Sequence, residues 1–322
     1  MLLRGVVVRG RRLLSSSRAA VSFMEARDAA LFEQLRGEAR AAKESDMGSI
    51  TSGMDAVLDC GSFAEVVAEV CSSKLAREVS DTRLPRGVLR DMFLSTLEGD
   101  ERVGADVEAI LERDPSATTH LQCVAYFKGF HAIQAQRCAH VFWKRGGFEN
   151  DHLAFALQDR VNELFAVDAH PGAIIGVGCF MDHATNVVIG ETAEIGRDCT
   201  ILHGVTLGGT GKARTKRHPT IGDRVTIGAG ATVIGPILVG DDATVAAQAV
   251  VSVDVPGGIT VVETNRFLDP NEHHALKAKD PETWAYDPML HAQGDRPKRS
   301  NCKWPFDEDD KPSRPPSLPE GF

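Results

Sequence analysis

The sequence has few aromatic residues, no paired-cysteine motif and no long apolar run. Aromatic residues make up 6% of the 322 positions, while glycine occurs 30 times, a balance that favours aliphatic packing and tight turns. The seven cysteines include no Cys-x-x-Cys pair, which indicates reduced thiols in an intracellular compartment. No stretch approaches the roughly 18 apolar residues that a membrane helix requires, so we expect no membrane association.

Basic residues are outnumbered by acidic ones, 36 against 45, which gives a formal net charge of −9. A general nucleic-acid-binding protein needs clustered Lys and Arg to neutralise phosphates. We therefore expect no nucleic acid among the ligands.

Residues 1–24 are predicted to be an organelle transit peptide. The segment contains five arginines and the run Ser15-Ser16-Ser17, and no acidic residue precedes Glu25. An N-terminus that is rich in Arg, contains Ser and lacks acids is typical of transit peptides, so we expect the protein in the mitochondrion or the chloroplast. A disordered basic tail on a cytosolic protein is the alternative.

Residues 25–166 are predicted to form an α-helical N-terminal domain. Long stretches of this region are rich in Ala, Glu, Leu and Arg and poor in Gly, which favours helix. Phe127, Phe130 and Ile133 fall on one helical face, and Gly146-Gly147 ends that helix before another apolar stripe begins.

From residue 167 the spacing of the aliphatic residues changes to six. The repeated positions are Ile189, Ile195, Ile201, Leu207, Ile221, Ile227, Val233, Val239, Val245 and Val251. Each hexad is expected to form one short strand and one turn, and three hexads one triangular coil, so that the aliphatic residues stack into a continuous core. This pattern predicts a parallel β-helix over 167–258.

Three segments depart from the six-residue period. Ile175 and Met181 begin the series, and two extra residues precede Ile189. The step from Leu207 to Ile221 is longer than one hexad by eight residues, which predicts an inserted loop over 208–220. The segment 259–322 is rich in proline and charge and lacks periodicity, so it is predicted to be an extended or disordered tail.

His183 is the candidate general base, because an imidazole can take the proton from a hydroxyl as that hydroxyl attacks a thioester. A carboxylate on the other ring nitrogen would fix the tautomer and stabilise the imidazolium, and Asp168 or Asp182 could supply it. Asp168 lies roughly one coil earlier in the sequence. Asp182 is adjacent to His183 and should point to the other face of a strand, where it could contact substrate or fix a turn.

The inserted loop combines glycine with positive charge. The run Gly208-Gly209-Thr210-Gly211 offers backbone N–H groups that could contact an oxyanion or a pantetheine arm. Four basic residues follow within six positions, and they favour an anionic ligand such as a CoA phosphate or an amino-acid carboxylate. A solvated surface loop is the alternative.

Four histidines, at positions 170, 183, 203 and 218, raise the question of a zinc site. No cysteine or acidic residue completes an obvious ligand set with them. We therefore expect no metal, although a β-helix enzyme with a zinc ion at a subunit interface stays open as an alternative.

Several motifs together resemble the serine acetyltransferase family. They are the helical run at 121–135, Val-Asp-Ala-His-Pro at 167–171, Met-Asp-His-Ala-Thr at 181–185, Ile-Gly-Glu-Thr-Ala at 189–193, Val-Thr-Leu-Gly-Gly-Thr-Gly-Lys at 205–212 and Arg-His-Pro at 217–219. The similarity extends from about residue 114 to residue 252. It implies an α+β multidomain protein in which an all-α N-terminal domain precedes a left-handed parallel β-helix.

The resemblance also implies a reaction and its residues. His183 is expected to act as the base with Asp168 as its partner, and acetyl-CoA to transfer its acetyl group directly to L-serine as the first step of cysteine biosynthesis from serine. L-Serine is expected to contact Asp114, Asp182, Arg217 and His218. The acetyl-CoA cleft is expected to be lined by Gly208, Gly209, Thr210, Ala229 and Ala247. Acetyl-CoA is then a co-substrate, and no permanently bound cofactor is expected.

Members of this family form homotrimers with active sites between neighbouring prisms, and the trimers usually pair into hexamers. The resemblance also implies O-acetylserine (thiol) lyase as a partner in a cysteine synthase complex. Two departures leave points open. The segment 261–268 replaces a usual Gly-Val-Pro-Ala stretch, and the chain ends in Phe322 where docking tails usually end in Ile. A third departure is Asn186, which replaces a usual Gly but tolerates left-handed backbone well.

Two other functions remain open at this stage. One is a hexapeptide acyltransferase that acetylates a sugar or an antibiotic hydroxyl. The other is a catalytically weak scaffold that regulates a thiol lyase.

Overall fold

The computed structural model describes residues 18–44, 57–76, 84–97, 100–210, 215–264 and 266–268. Most of the predicted transit peptide and of the predicted tail, including Phe322, lies outside these residues. None of the helices that the structure describes is long and apolar enough to cross a membrane.

The N-terminal region is helical up to the predicted boundary near residue 166. Its helices are α1 (Arg18–Glu44), α2 (Phe63–Leu75), α3 (Arg86–Leu97), α4 (Glu101–Arg113), α5 (His120–Tyr126), α6 (Lys128–Arg145) and α7 (Phe148–Phe165). Ser62 and Thr119 cap α2 and α5 by accepting hydrogen bonds from backbone N–H groups in the first turn. Gly146 and Gly147 have positive φ and separate α6 from α7, as the sequence predicts.

Short strands build the second half of the chain. They are β1 (Val167–Ala169), β2 (Ile174–Ile175), β3 (Phe180–Met181), β4 (Val187–Ile189), β5 (Glu194–Ile195), β6 (Thr200–Ile201), β7 (Thr206–Gly208), β8 (Thr220–Ile221), β9 (Thr226–Ile227), β10 (Thr232–Ile234), β11 (Leu238–Val239), β12 (Thr244–Val245), β13 (Val250–Val251), β14 (Thr260–Val262) and β15 (Arg266–Leu268). From β1 to β14, successive strands belong to different sheets, so the chain winds as a solenoid.

The strands form three sheets that are the faces of a triangular prism. The first sheet has the order β1-β4-β7-β10-β13, the second β2-β5-β8-β11, and the third β3-β6-β9-β12-β14-β15. All the aliphatic hexad positions from Ile189 to Val251 are buried inside the prism. Each such side chain contributes about 1.5–3 kcal/mol relative to an exposed one, so the repeat is the main source of stability here.

The strand register confirms the irregularities that the sequence spacing predicts. Val188 pairs with Thr206 at an offset of 18 residues, which is one regular coil. Val167 pairs with Val187 at an offset of 20, so the first coil holds two extra residues. Thr206 pairs with Thr232 at an offset of 26, because the eight-residue insertion leaves the prism between β7 and β8.

The solenoid continues past residue 258, where the sequence prediction ended it. Val261 in β14 pairs with Val245, and β15 then adds an antiparallel strand to the third sheet. Val239 bridges to Val255 and Val245 pairs with Val261, both at an offset of 16. This coil is two residues shorter than a regular coil, so the six-residue spacing no longer identifies the aliphatic position in β14.

Helix α6 covers the open end of the first coil. The side chain of Gln136 donates to the carbonyl of Ala173 at 2.8 Å, and Nδ1 of His140 donates to the carbonyl of Pro171 at 2.8 Å. Arg137 donates to the carbonyl of Gly176 and pairs with Asp106 of α4. These side chains satisfy carbonyls that an exposed parallel edge would leave without partners, and they fix the helices against the prism.

Candidate active site

One edge of the prism brings the candidate base into line with two predicted acetyl-CoA residues. The strand register places His183, His203, Ala229 and Ala247 at equivalent positions of successive coils, where the third sheet turns into the first. The rings of His183 and His203 are 5.8 Å apart between centroids. We call this line of residues the histidine edge.

The turn that carries His183 has an unusual backbone. His183, Ala184 and Asn186 have φ angles of 55°, 56° and 59°. Such left-handed conformations cost of the order of 1–3 kcal/mol each for most non-glycine residues and cluster at functional sites. Asn186 occupies the left-handed region, as expected of an Asn at a position where the family usually has Gly.

One carboxylate lies beside the candidate base, and a second carboxylate acts on the first through its charge. Oδ1 of Asp182 is 3.7 Å from Nε2 of His183, whose side chain is 72% exposed. Burial raises the pKa of the Asp182 carboxyl, the charges of His183 and His203 lower it, and the negative charge of Asp114 raises it further. Asp114 ends α4, so the helical domain delivers a second carboxylate to the histidine edge.

Asp168 occupies a different place from Asp182. It lies in β1 of the first sheet and accepts a hydrogen bond of 2.6 Å from Nε2 of Gln158 in α7. The contacts that the structure gives the His183 ring run to Asp182 and His203. The pairing of His183 with Asp168 therefore stays a prediction.

A second polar group lies at the opposite edge of the first sheet, where the inserted loop returns to the prism. Arg217 pairs with Glu191 at 2.5 Å, and Nζ of Lys216 donates to Oε1 of Glu194 at 3.0 Å. His218 follows Arg217 and is almost fully buried. We call this group, together with Thr192, the loop edge.

The hydrogen bonds of His218 define its tautomer. The backbone N–H of Thr192 donates to Nδ1 at 3.2 Å, so Nδ1 is an acceptor and the proton resides on Nε2. Oγ1 of Thr192 lies 2.9 Å from the same nitrogen and accepts the N–H groups of Arg217 and His218, each at 3.1 Å. Burial and the charge of Arg217 lower the pKa of His218, which keeps the ring a neutral Nε2–H donor.

Gly190 makes room for that ring. A Cβ atom at position 190 would lie 2.0 Å from Cδ2 and Nε2 of His218. Carbon atoms in contact stay about 3.5–4.0 Å apart, so only glycine permits the ring to lie here. Sequence reasoning named none of Gly190, Glu191 and Thr192 as a site residue, although all three belong to the Ile-Gly-Glu-Thr-Ala motif.

The predicted acetyl-CoA residues are divided between the two edges. Gly208 ends β7 and Gly209 lies against Arg217 at the loop edge. Thr210 is exposed at the start of the loop, and residues 211–214 lie outside the described part of the chain. Ala229 and Ala247 belong to the histidine edge. A single chain therefore carries the predicted site as two halves that flank the first sheet.

The four histidines considered for a metal site do not converge. His183 and His203 lie at the histidine edge, whereas His170 and His218 lie at the loop edge. His170 packs edge-on against Trp143 and Phe155. Within the described ranges, no group of three or more His, Cys, Asp or Glu is arranged to hold a metal ion.

Comparison with known families and proteins gives consistent results. Residues 31–135 match the family model "Serine acetyltransferase, N-terminal", and residues 218–252 match "Bacterial transferase hexapeptide (six repeats)". The chain is 47% identical to the mitochondrial serine acetyltransferase 3 of Arabidopsis thaliana over 59% of its own length and 49% of that protein's. It is 46% identical to the chloroplastic serine acetyltransferase 1 over 62% of its own length and 63% of that protein's. The aligned region therefore spans 49% and 63% of the length of these two plant relatives.

Solved structures match over a larger share of their length. The soybean serine acetyltransferase complexed with serine has a TM-score of 0.70 and 40% identity, and the match covers 75% of this chain and 99% of that one. The serine acetyltransferase of Brucella abortus strain S19 in complex with coenzyme A has a TM-score of 0.66 and 37% identity, covering 72% of this chain and 91% of that one. The chain thus belongs to the serine acetyltransferase family.

Proposed function

We propose that the protein is a serine O-acetyltransferase that converts acetyl-CoA and L-serine to O-acetyl-L-serine and CoA. The observation that carries the proposal is the Asp182–His183 pair, held in a strained and exposed turn with Asp114 beside it. Relatives with serine or coenzyme A bound share the fold, which supports both substrates.

The chemistry requires one base and one leaving group. His183 takes the proton from the serine hydroxyl while the hydroxyl oxygen attacks the thioester carbonyl. The tetrahedral intermediate then collapses, the C–S bond breaks, and the imidazolium returns its proton to the departing CoA thiolate. Transfer is direct, so no acyl-enzyme forms. Asp182 stabilises the imidazolium through its charge, and Asp168 orients the ring as its proposed partner.

Serine recognition needs groups from both edges. The ammonium group suits the carboxylates of Asp114 and Asp182, whereas the substrate carboxylate suits the guanidinium of Arg217 and the Nε2–H of His218. These two sets lie at opposite edges of the first sheet in one chain. A homotrimer in which the loop edge of one prism faces the histidine edge of the next would unite them.

The outer face of the first sheet suits such an assembly. Val188 and Val250 lie on this face and are 38% and 39% exposed in the single chain. Acetyl-CoA would then lie between two prisms, with Gly208, Gly209 and Thr210 on one side and Ala229 and Ala247 on the other. Three coils separate His183 from Ala247, which corresponds to about 14 Å at a strand spacing near 4.8 Å. The small side chains of Ala229 and Ala247 leave room along the histidine edge for an extended pantetheine arm.

The experiment is a thiol assay of CoA release, with and without L-serine. His183→Ala is expected to lower kcat strongly while the trimer is retained. His152→Ala is the matched control, because His152 is exposed on α7 and the ring contact that the structure gives it is with Phe148, which belongs to neither edge. Full activity in His183→Ala would defeat the assigned base.

Location and partnership form a second part of the proposal. One of the two Arabidopsis relatives is named as mitochondrial and the other as chloroplastic, which supports a mitochondrial or chloroplast enzyme. Residues 1–24 fused to a fluorescent protein should reach one of these organelles, and a cytosolic signal would contradict this. We also propose docking to O-acetylserine (thiol) lyase through the C-terminus, which deletion of the last ten residues should abolish; retained binding would rule out the tail.

A further inference from the structure

The first turn of α6 contacts the turn that carries His183. Nζ of Lys128 donates a hydrogen bond to Oγ1 of Thr185, and Oγ1 of Thr185 donates to the carbonyl oxygen of His183 at 3.2 Å. Because the ammonium group has no acceptor, the hydroxyl must accept from it and direct its own proton to the carbonyl. The contact joins residues 57 positions apart in the sequence.

Gly129, the next residue of α6, contacts the other end of the same segment. A Cβ at this position would lie 2.0 Å from the carbonyl oxygen of Met181. The start of α6 therefore packs directly against the backbone that precedes Asp182. Lys128 and Gly129 together contact both ends of residues 181–185, which we call the catalytic turn.

The catalytic turn has other backbone hydrogen bonds. Two of them stay within the turn: the N–H of Ala184 donates to the carbonyl of Asp182, and the N–H of Thr185 donates to the carbonyl of His183, each at 2.6 Å. The N–H of Gly204 donates to the carbonyl of Thr185 at 2.8 Å, and the N–H of Asn186 donates to the carbonyl of Ala166 at 2.7 Å. Both bonds fix the end of the turn. His183 and Ala184, which have left-handed backbone, precede the residues that these two bonds fix. Left-handed backbone is unfavourable for L-residues, so it persists only if its surroundings hold it.

We propose that Lys128 is a positioning residue for acetyl transfer, which holds His183 in its left-handed conformation through the hydroxyl of Thr185. The inference rests on the proposed function and extends it. It gives the helical domain a part in positioning the base, because α6 then sets the direction of the imidazole relative to Asp182. Lys128 itself makes no contact with substrate under this proposal.

The experiment compares Lys128→Met, Thr185→Val and the double variant with the full chain by steady-state kinetics. Each single variant is expected to lower kcat by up to about 100-fold, because a misplacement near 1 Å at the reacting groups costs about that much. The KM values for serine and acetyl-CoA should change little. The double variant should be no worse than the more damaged single variant, since both remove the same connection.

Two further variants separate positioning from other effects. Thr185→Ser keeps a hydroxyl and should recover most of the turnover that Thr185→Val loses. Lys144→Met removes a positive charge from the exposed last turn of the same helix and controls for the loss of charge. Size-exclusion chromatography and circular dichroism check that each variant folds, and Thr185→Val leaves the helical domain untouched.

Additive losses in the double variant, or a raised KM for acetyl-CoA as the main effect of Lys128→Met, would overturn the proposal in favour of a direct contact with the nucleotide. A crystal structure of Lys128→Met gives a readout that does not depend on activity. The proposal expects His183 and Ala184 to leave the left-handed region, and an unchanged catalytic turn would overturn it. Absence of serine-dependent CoA release in the unsubstituted protein would instead defeat the proposed function.

Discussion

Substitution of Gly190 by alanine tests the loop edge through a single methyl group. The added Cβ would lie 2.0 Å from the His218 ring, and the ring must retreat by roughly 1.5 Å to restore ordinary contact. The bond from Thr192 Oγ1 to Nδ1 of His218 is 2.9 Å, so a shift of this size takes the ring beyond hydrogen-bonding distance. The substrate carboxylate then loses the Nε2–H donor.

The expected loss can be estimated from that one contact. A hydrogen bond to a charged group contributes about 1.5–3 kcal/mol, and each 1.36 kcal/mol corresponds to a factor of ten. We therefore expect KM for serine to rise roughly 10- to 100-fold in Gly190→Ala, with a smaller change in kcat and an unchanged KM for acetyl-CoA. Initial rates of CoA release over a range of serine concentrations give these values.

Gly37→Ala provides the matched control. Gly37 lies within α1, and nothing lies within 4 Å of a Cβ built there. This variant should keep the KM of the parent protein. If Gly190→Ala also kept it, His218 could not bind the serine carboxylate from the position that the structure gives it, and the reasoning about the loop edge would be wrong.

Two predictions concern stability. Burial lowers the pKa of His131 to about 4, so the stability held by the neutral ring is present above pH 6.5 and falls as the pH decreases from 6.5 towards 4. Between pH 7.5 and 5 the titration of this ring should lower the free energy of unfolding by about 2 kcal/mol. Urea unfolding of His131→Gln should lack that part of the decrease. A pH dependence identical to that of the parent protein would contradict the assignment. Arg137→Met leaves the carboxylate of Asp106 buried without its cation, which should cost about 3–5 kcal/mol and lower Tm clearly, whereas Arg137→Met with Asp106→Asn should recover part of the loss. An unchanged Tm in Arg137→Met would contradict the cost assigned to a buried Asp106 carboxylate without its cation.

The β-helix could be predicted from the sequence because its core repeats locally. Every six residues an aliphatic side chain enters the prism, so the period alone gives the coils, the two extra residues of the first coil and the eight-residue loop. The prediction ended early at residue 258, because Val251 and Val255 are only four positions apart and the last coil is correspondingly short. A regular six-residue spacing cannot predict that a coil is shorter by residues missing at one corner.

The candidate residues could be named from motifs, but their grouping required the fold. Asp114 reaches Asp182 because α4 ends beside the first coil. Lys128 contacts Thr185, which lies 57 positions later in the sequence, and no local sequence pattern predicts this contact. The sequence also placed Arg217 and His218 in one site with His183, whereas a single chain holds them at opposite edges of the first sheet.

The most direct test of the account is serine-dependent release of CoA by the purified full chain, followed with a thiol reagent. The account predicts rapid release when acetyl-CoA and L-serine are both present, little release without serine, and O-acetyl-L-serine as the product by mass spectrometry. Protein that forms trimers and yet releases no CoA, or releases it equally with and without serine, would contradict the proposed reaction.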